Sequence, residues 1–316
     1  MDTALKLFFR IWKIFVLFIT SFIPIKEKRR SLRKSMLKLK FYCKRYAFED
    51  NTKFPVYLSA LVCSKNEAPY LKEWIEYHLL LGIERFYFFD NESKDNTYEI
   101  LKPYIDKGIV VYHTFSFKGD IWPKPQIEVY TKAVRKYKKE TRWMAVFDID
   151  EFIVPIKHDT ISEFLKSYEA FSQITIHYKF FGSCGHKTKP NGLVIENYLY
   201  SRKSSENTVD SVVNDNTGKS IINPRAACGK IYEHYSSVIG MPVDERKMPY
   251  LEDPSVIGAT TDIIEVNHYW SKSEEECLSR ELRNTNKLSN FNNSESEYND
   301  DILRFLPKLK ERLDNS

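Results

Sequence analysis

The feature that most constrains this chain is a series of short, unbroken apolar runs separated by helix-like stretches. VYLSALVC (56–63), IERFYFFD (83–90), IVVYHTF (109–115) and WMAVFDID (143–150) are strand-length and rich in β-branched and aromatic residues. Runs of that kind mark strands buried on both faces, since a strand with one wet face alternates polar and apolar residues. Between the first two lies a helical pattern. Pro69 stands near its first turn, Leu71, Trp74, Ile75, His78 and Leu79 fall on one face, and Gly82 follows as the stop, which also makes His78 a core residue. A short helix before Gly108 and another from about 126 to 137 complete the alternation. Strands and helices in turn predict an α/β fold, a Rossmann-like, mostly parallel sheet with helices on both faces.

In such a sheet ligands bind outside the carboxyl ends of the strands. SKNE, DNESKD and DIDE each follow a strand end, so three polar clusters remote in sequence are expected on one edge. The chain carries neither GxGxxG nor GxxxxGK[ST], which removes the dinucleotide fingerprint and the P-loop. Asp148 and Asp150, two apart where strand gives way to loop, offer oxygen ligands to a hard divalent cation, Mn²⁺ or Mg²⁺, which would hold a diphosphate. A lone DxD recurs by chance in a chain this acidic. Here, however, Asp148, Asp150 and Glu151 end an apolar strand together, and so much buried negative charge demands a compensating cation.

Charge is divided unevenly. Residues 1–54 hold 14 Lys and Arg against 4 Asp and Glu, a net +10, while the remainder holds 34 against 39, a net −5. The arm's apolar stretch is interrupted by Lys6, Arg10 and Lys13 before a 12-residue uncharged run, Ile14 to Ile25, followed by KEKRR. A spanning helix needs roughly 20 apolar residues, so a monotopic association with an anionic membrane surface is expected, with a single-pass anchor as the alternative. No small-x-small cleavage site follows, and the acidic body offers nucleic acid no groove. The five cysteines (43, 63, 184, 228 and 277) are scattered and never form CxxC, which fits a reducing compartment.

Several motifs in order then carry a family resemblance. CSKNEAPYLKEWIEYHLLLGIERFYFFDNESKDNTYEILKPYIDKGIV, FDIDEFIVP, FGSCGH (181–186), NGLVIENY (191–198), KSIINP (219–224) and HYWSKSEEE (268–276) together resemble glycosyltransferase family 92, in a bacterial-type member, and more distantly the family 2 enzymes of the GT-A fold. The resemblance spans about residues 56–285. It implies a GT-A domain (55–290), which the charge and hydropathy pattern flanks with a basic, apolar membrane-associating arm (1–54) and a polar linker with a C-terminal amphipathic segment (291–316).

The same resemblance implies site roles. Lys65, Asn66 and Glu67 would lie beside the nucleotide, and Asp90 would accept a base N–H of a UDP-sugar. Asp150 would ligate the metal, with Asp148 at the ribose or in the metal shell, and His268 as a further ligand with His234 second. Lys272 would reach a phosphate. FGSCGH would line the sugar or acceptor pocket, bringing His186 there, although an ordinary turn is the plainer reading. For the catalytic base of an inverting reaction, Glu151, Glu196 and His186 all stay open.

The function these readings predict is metal-dependent transfer of a hexose, galactose favoured, from a UDP-sugar to a glycan or lipid-linked acceptor. The setting would be lipopolysaccharide or capsule synthesis at the cytoplasmic face of the inner membrane. A sugar-phosphate nucleotidyltransferase and a non-catalytic, membrane-associated glycan-binding module are the rival classes.

Overall fold

The computed structural model describes residues 3–24, 28, 53–116, 124–203, 218–232, 234–248, 260–281 and 296–316. Most of the basic stretch at 25–52 and residues 291–295 of the polar linker lie outside the described residues. In chain order the helices are α1 (Thr3–Ser21), α2 (Ala68–Leu80), α3 (Thr97–Asp106), α4 (Lys124–Tyr137), α5 (Ile161–Leu165), α6 (Val194–Asn197), α7 (Glu274–Glu281) and α8 (Leu306–Asn315). The strands are β1 (Val56–Ser64), β2 (Arg85–Asp90), β3 (Val110–Thr114), β4 (Thr141–Val146), β5 (Glu151–Pro155), β6 (Gln173–Phe180), β7 (Tyr200–Arg202), β8 (Gly218–Ile222), β9 (Ala227–Ile231), β10 (Ser236–Val238), β11 (Pro242–Val243), β12 (Ile264–His268) and β13 (Ser296–Tyr298).

The four apolar runs become the parallel half of a nine-stranded sheet ordered β3-β2-β1-β4-β8-β6-β12-β5, with β11 added to β6. The expected α/β architecture, mostly parallel, is therefore present. Its second half is mixed, because β8 runs antiparallel between β4 and β6, and β5 antiparallel to β12. Side chains leave β1 to opposite faces. Leu58, Ala60 and Val62 pack with α2 and α3, whereas Leu61 and Cys63 pack with α4. Both faces are thus covered, and each large apolar side chain fully removed from water contributes roughly 1.5–3 kcal/mol.

Helix α2 follows the sequence pattern, with Leu71, Trp74, Ile75 and His78 wholly buried. It stops at Gly82, whose φ of +93° excludes ordinary residues and whose added Cβ would meet Ser162 Oγ at 2.6 Å. Helix α2 also satisfies the free edge of β5. Trp74 Nε1–H donates to the Glu151 carbonyl (2.8 Å), the Tyr77 hydroxyl to the Ile153 carbonyl (3.1 Å), and His78 Nε2 accepts from the Ile153 N–H (3.3 Å). An edge strand buried without such partners would leave its backbone unpaired. Burial lowers the His78 pKa to about 3, which keeps the ring neutral and able to accept.

The C-terminal segment packs back on the domain. Ile302, Phe305 and Leu309 are buried, and Arg312 Nε donates to Glu76 Oε2 (2.9 Å), whose other oxygen accepts from the Tyr104 hydroxyl (2.8 Å). At the other end, α1 leaves Ile11, Ile14, Phe15 and Phe18 exposed, with Phe22 just beyond it. No helix among the described residues is long and apolar enough to cross a membrane.

Candidate functional site

The carboxyl ends of β1, β2, β3 and β4 open onto one cleft of about 640 Å³, lined by Ser64, Lys65, Asn66 and Glu67 after β1, Asn91 after β2, Phe115 after β3, and Asp148 to Glu151 after β4. Tyr178, Lys219, His234, His268 and Trp270 close its other side. The convergence expected from the three strand-end clusters is the one observed.

Backbone geometry holds the loops. Asn66 sits at φ +56° and Glu92 at +51°, conformations uncommon for residues with a Cβ. The first is fixed because the Asn66 N–H donates to Ser93 Oγ (2.8 Å) while its Oδ1 accepts from the Lys94 N–H (2.8 Å), so the loops after β1 and β2 zip together. Asp90 serves that same junction. Its Oδ1 accepts from the Ser93 N–H (3.1 Å) and its Oδ2 from the Tyr112 hydroxyl (2.6 Å), and the residue is buried. The geometry thus occupies both Asp90 oxygens in shaping the loop, whereas its neighbour Asn91 lines the cleft.

The acidic centre follows from strand register. β12 pairs antiparallel with β5 so that His268 stands opposite Glu151, and the Tyr269 N–H donates to the Asp150 carbonyl (2.8 Å). His268 Nε2 consequently lies 3.8 Å from Asp150 Oδ2 and 3.9 Å from Glu151 Oε1, its ring flanked by Tyr178 and Phe180. Asp150, Glu151 and His268 each offer a ligand atom, all within 4.8 Å of one another. Two carboxylates and one imidazole suit a divalent ion of the Mn²⁺ or Mg²⁺ class, and the His268 Nδ1 is buried with no hydrogen-bond partner among the described residues. The residues present fit the ion that the sequence implies.

Asp148, expected to share that ion, stands elsewhere. Its Oδ2 lies 2.7 Å from Lys219 Nζ and its Oδ1 accepts from Gln126 Nε2 (3.3 Å), so Glu151 takes its place in the group of three. Glu151 is almost wholly buried. Its Oε1 accepts from the Tyr178 hydroxyl (2.8 Å) and its Oε2 from the Asp148 N–H (2.9 Å), with Lys219 Nζ 3.4 Å away. Burial pushes the Glu151 carboxyl up, and Lys219 pulls against that shift.

Of the remaining expected residues, Lys65, Asn66 and Glu67 line the cleft. Lys272 is buried at φ +48°, its Nζ 3.9 Å from Glu67 Oε2 and 4.0 Å from the centre of the Tyr70 ring, so it joins the site through Glu67. His234 lines the cleft and its Nδ1 lies 3.2 Å from the Gly218 carbonyl. His186 does not line it. Its Nε2 donates to the Asn197 carbonyl (3.2 Å), and its own carbonyl accepts the Glu274 N–H (2.9 Å) at the start of α7, so FGSCGH serves as a turn that caps this helix. Glu196 is likewise turned away, paired with Lys310 at 2.5 Å. Only Glu151 of the three candidate bases faces the cleft.

Sequence reasoning missed Lys219, Tyr178 and Trp270. Lys219 carried a signal, being a lone lysine inside the apolar run GKSII, which is where a counter-cation for clustered carboxylates belongs. Tyr178 and Trp270 carried none, since aromatic residues are common throughout the chain.

The model of the family described as Glycosyltransferase family 92 matches residues 59–249. Among curated proteins, a galactan beta-1,4-galactosyltransferase of Arabidopsis thaliana is 35% identical over 112 residues, covering 34% of this chain and 22% of the relative. A glycosyltransferase family 92 protein of Oryza sativa is 26% identical over 172 residues, covering 52% of this chain and 28% of the relative. The chain thus spans about a quarter of the length of these curated relatives, which are plant proteins and lend no support to a bacterial-type assignment. Among solved structures, S. aureus TarS 1-349 in complex with UDP overlaps 54% of this chain and 48% of its own at 13% identity, with a TM-score of 0.34, too slight an overlap to carry an argument.

Proposed function

This chain belongs to glycosyltransferase family 92, and we propose that it moves a hexose, galactose favoured, from a UDP-sugar to a glycan or lipid-linked acceptor with a divalent ion at the donor diphosphate. The observation that carries this reading is the cleft at the strand ends, where Asp150, Glu151 and His268 gather three ligand atoms beside the loop of Lys65, Asn66 and Glu67. Galactose is favoured by the similarity to a galactan galactosyltransferase.

When bound, the ion offsets the charge that develops on the departing nucleotide diphosphate. Asp150, Glu151 and His268 would hold it, as Mn²⁺ or Mg²⁺. Lys65, Asn66 and Glu67 form the wall against which the nucleotide lies, and Lys272, set against Glu67, steadies that wall. Asp148 lines the cleft with about a third of its side chain accessible and is the residue assigned to the ribose. The acceptor is assigned to the side of Tyr178, His234 and Trp270, since an indole suits the C–H face of a sugar ring.

The exposed apolar residues of α1, with Lys6, Arg10 and Lys13 on the same helix, support association with an anionic membrane surface. That supports a peripheral, membrane-associated enzyme of cell-surface polysaccharide synthesis.

The test is transfer by the full chain from UDP-galactose, UDP-glucose and UDP-N-acetylhexosamines to β-galactan oligosaccharides and lipid-linked saccharides, with products identified by mass spectrometry. Galactosyl transfer that disappears with a chelator and in Asp150→Asn is expected. No transfer from any of these donors would contradict the reading.

A further inference from the structure

Lys219 carries an inference that rests on the donor-site reading and goes beyond it. Its side chain is 3% exposed, yet its Nζ reaches the cleft, 2.7 Å from Asp148 Oδ2 and 3.4 Å from Glu151 Oε2. The strand that carries it cannot shift. β8 is hydrogen-bonded on both sides, to β4 and to β6, and a Cβ on Gly218 would lie 2.0 Å from the Ile176 carbonyl oxygen. A full positive charge is therefore built into the floor of the site at a fixed point, where it neutralises one of three clustered carboxylates.

That charge has two consequences for a divalent ion. It occupies Asp148, leaving Asp150, Glu151 and His268 as the group able to converge on an ion. It also repels any second cation placed beside Glu151, and because both Lys219 and Glu151 are buried that repulsion is weakly screened. We infer that Lys219 is a built-in cation that withholds Asp148 from the metal and weakens metal binding until the nucleotide's phosphates add their own negative charge. Lys219 is on this account a positioning residue, and metal and nucleotide bind cooperatively because of it.

Mn²⁺ binding to the full chain tests this, followed by calorimetry and by the electron paramagnetic resonance signal of free Mn²⁺, with and without UDP. Lys219→Met is expected to bind Mn²⁺ alone about tenfold tighter or more than the wild type, from removal of a nearby like charge. The gain from UDP should shrink correspondingly. Unchanged or weaker Mn²⁺ binding by a folded Lys219→Met, or no Mn²⁺ binding in either protein, overturns the inference.

Removing one buried partner can unfold a protein, so the pair is also removed as a unit. The double variant Lys219→Met with Asp148→Asn leaves no charge of that pair behind and should hold Mn²⁺ within about fivefold of the wild type, because Asp148 is not a ligand. Loss of Mn²⁺ as complete as in Asp150→Asn would make Asp148 a ligand and overturn the inference. The donor reading is scored separately, by whether UDP binds the wild type at all. Mn²⁺ binding seen in Lys219→Met without UDP, and in the wild type only with UDP, would uphold the inference; Mn²⁺ binding confined to Lys219→Met even with UDP would overturn it.

Discussion

Replacing Glu265 by Gln should stabilise this protein at neutral pH and abolish part of its pH dependence. Glu265 lies in β12, 1% exposed, beneath the C-terminal segment, where among the described residues its Oε1 accepts one side-chain hydrogen bond, from Asn299 Nδ2 at 3.5 Å. Burial raises its carboxyl from the ordinary 4.5 to about 8, against the pull of Lys179, which is itself engaged by Glu297 at 3.1 Å. A carboxyl raised in the folded state favours folding fully below pH 4.5, and that advantage is lost as pH rises through about 8. At pH 7 the cost of keeping the group protonated is about 3 kcal/mol, since one pKa unit corresponds to ~1.4 kcal/mol. The glutamine amide carries its own desolvation cost, about 1–2 kcal/mol with so few partners. A net gain of about 1–2 kcal/mol at pH 7 follows, vanishing or reversing near pH 4.5. Urea unfolding of both proteins at pH 5, 7 and 8 measures it. Parallel pH profiles, or a variant less stable than the wild type at pH 8, would refute the reasoning.

Three further outcomes follow from the fold. Gly218→Ala should lose about 3 kcal/mol or fail to fold, because its Cβ meets backbone; wild-type thermal stability in this variant would disprove the close approach. Arg312→Ala leaves the buried Glu76 without its guanidinium partner and should cost about 2 kcal/mol in chemical denaturation, discounted for the partial exposure of the arginine. The full chain should co-sediment with vesicles of anionic lipid, and Ile14→Asp with Phe18→Asp should release it by placing charge on the exposed apolar residues of α1; equal sedimentation of both proteins would remove the membrane assignment.

The legible part of this structure is the part in which one strand explains itself. β1, β2 and β4 are mostly apolar because both faces are covered, and the polar residues after them had to meet at one edge. Asp150 came within reach for the same reason, whereas His268 was named only through the family resemblance. What stayed hidden depends on pairing between distant segments. Glu151 faces His268 only because β12 runs antiparallel to β5 in one register, and a shift of one residue would turn both side chains away. Lys219 reaches Asp148 only because β8 inserts between β4 and β6. His186 was drawn toward the pocket by its glycine-flanked loop, but the carbonyls of residues 186 and 187 are needed at the start of α7. Asp90 stands at the expected strand end, yet the loop beyond β2 uses its oxygens.

The central claim is that the Asp150, Glu151 and His268 group forms the metal-dependent half of a nucleotide-sugar site. Calorimetric titration of the full chain with UDP, with and without Mn²⁺, tests it most directly, beside Asp150→Asn. The account predicts UDP binding strengthened by Mn²⁺ in the wild type, with the Mn²⁺ effect gone in Asp150→Asn. Mn²⁺-strengthened UDP binding that persists unchanged in Asp150→Asn, or no UDP binding by the wild type, would contradict it.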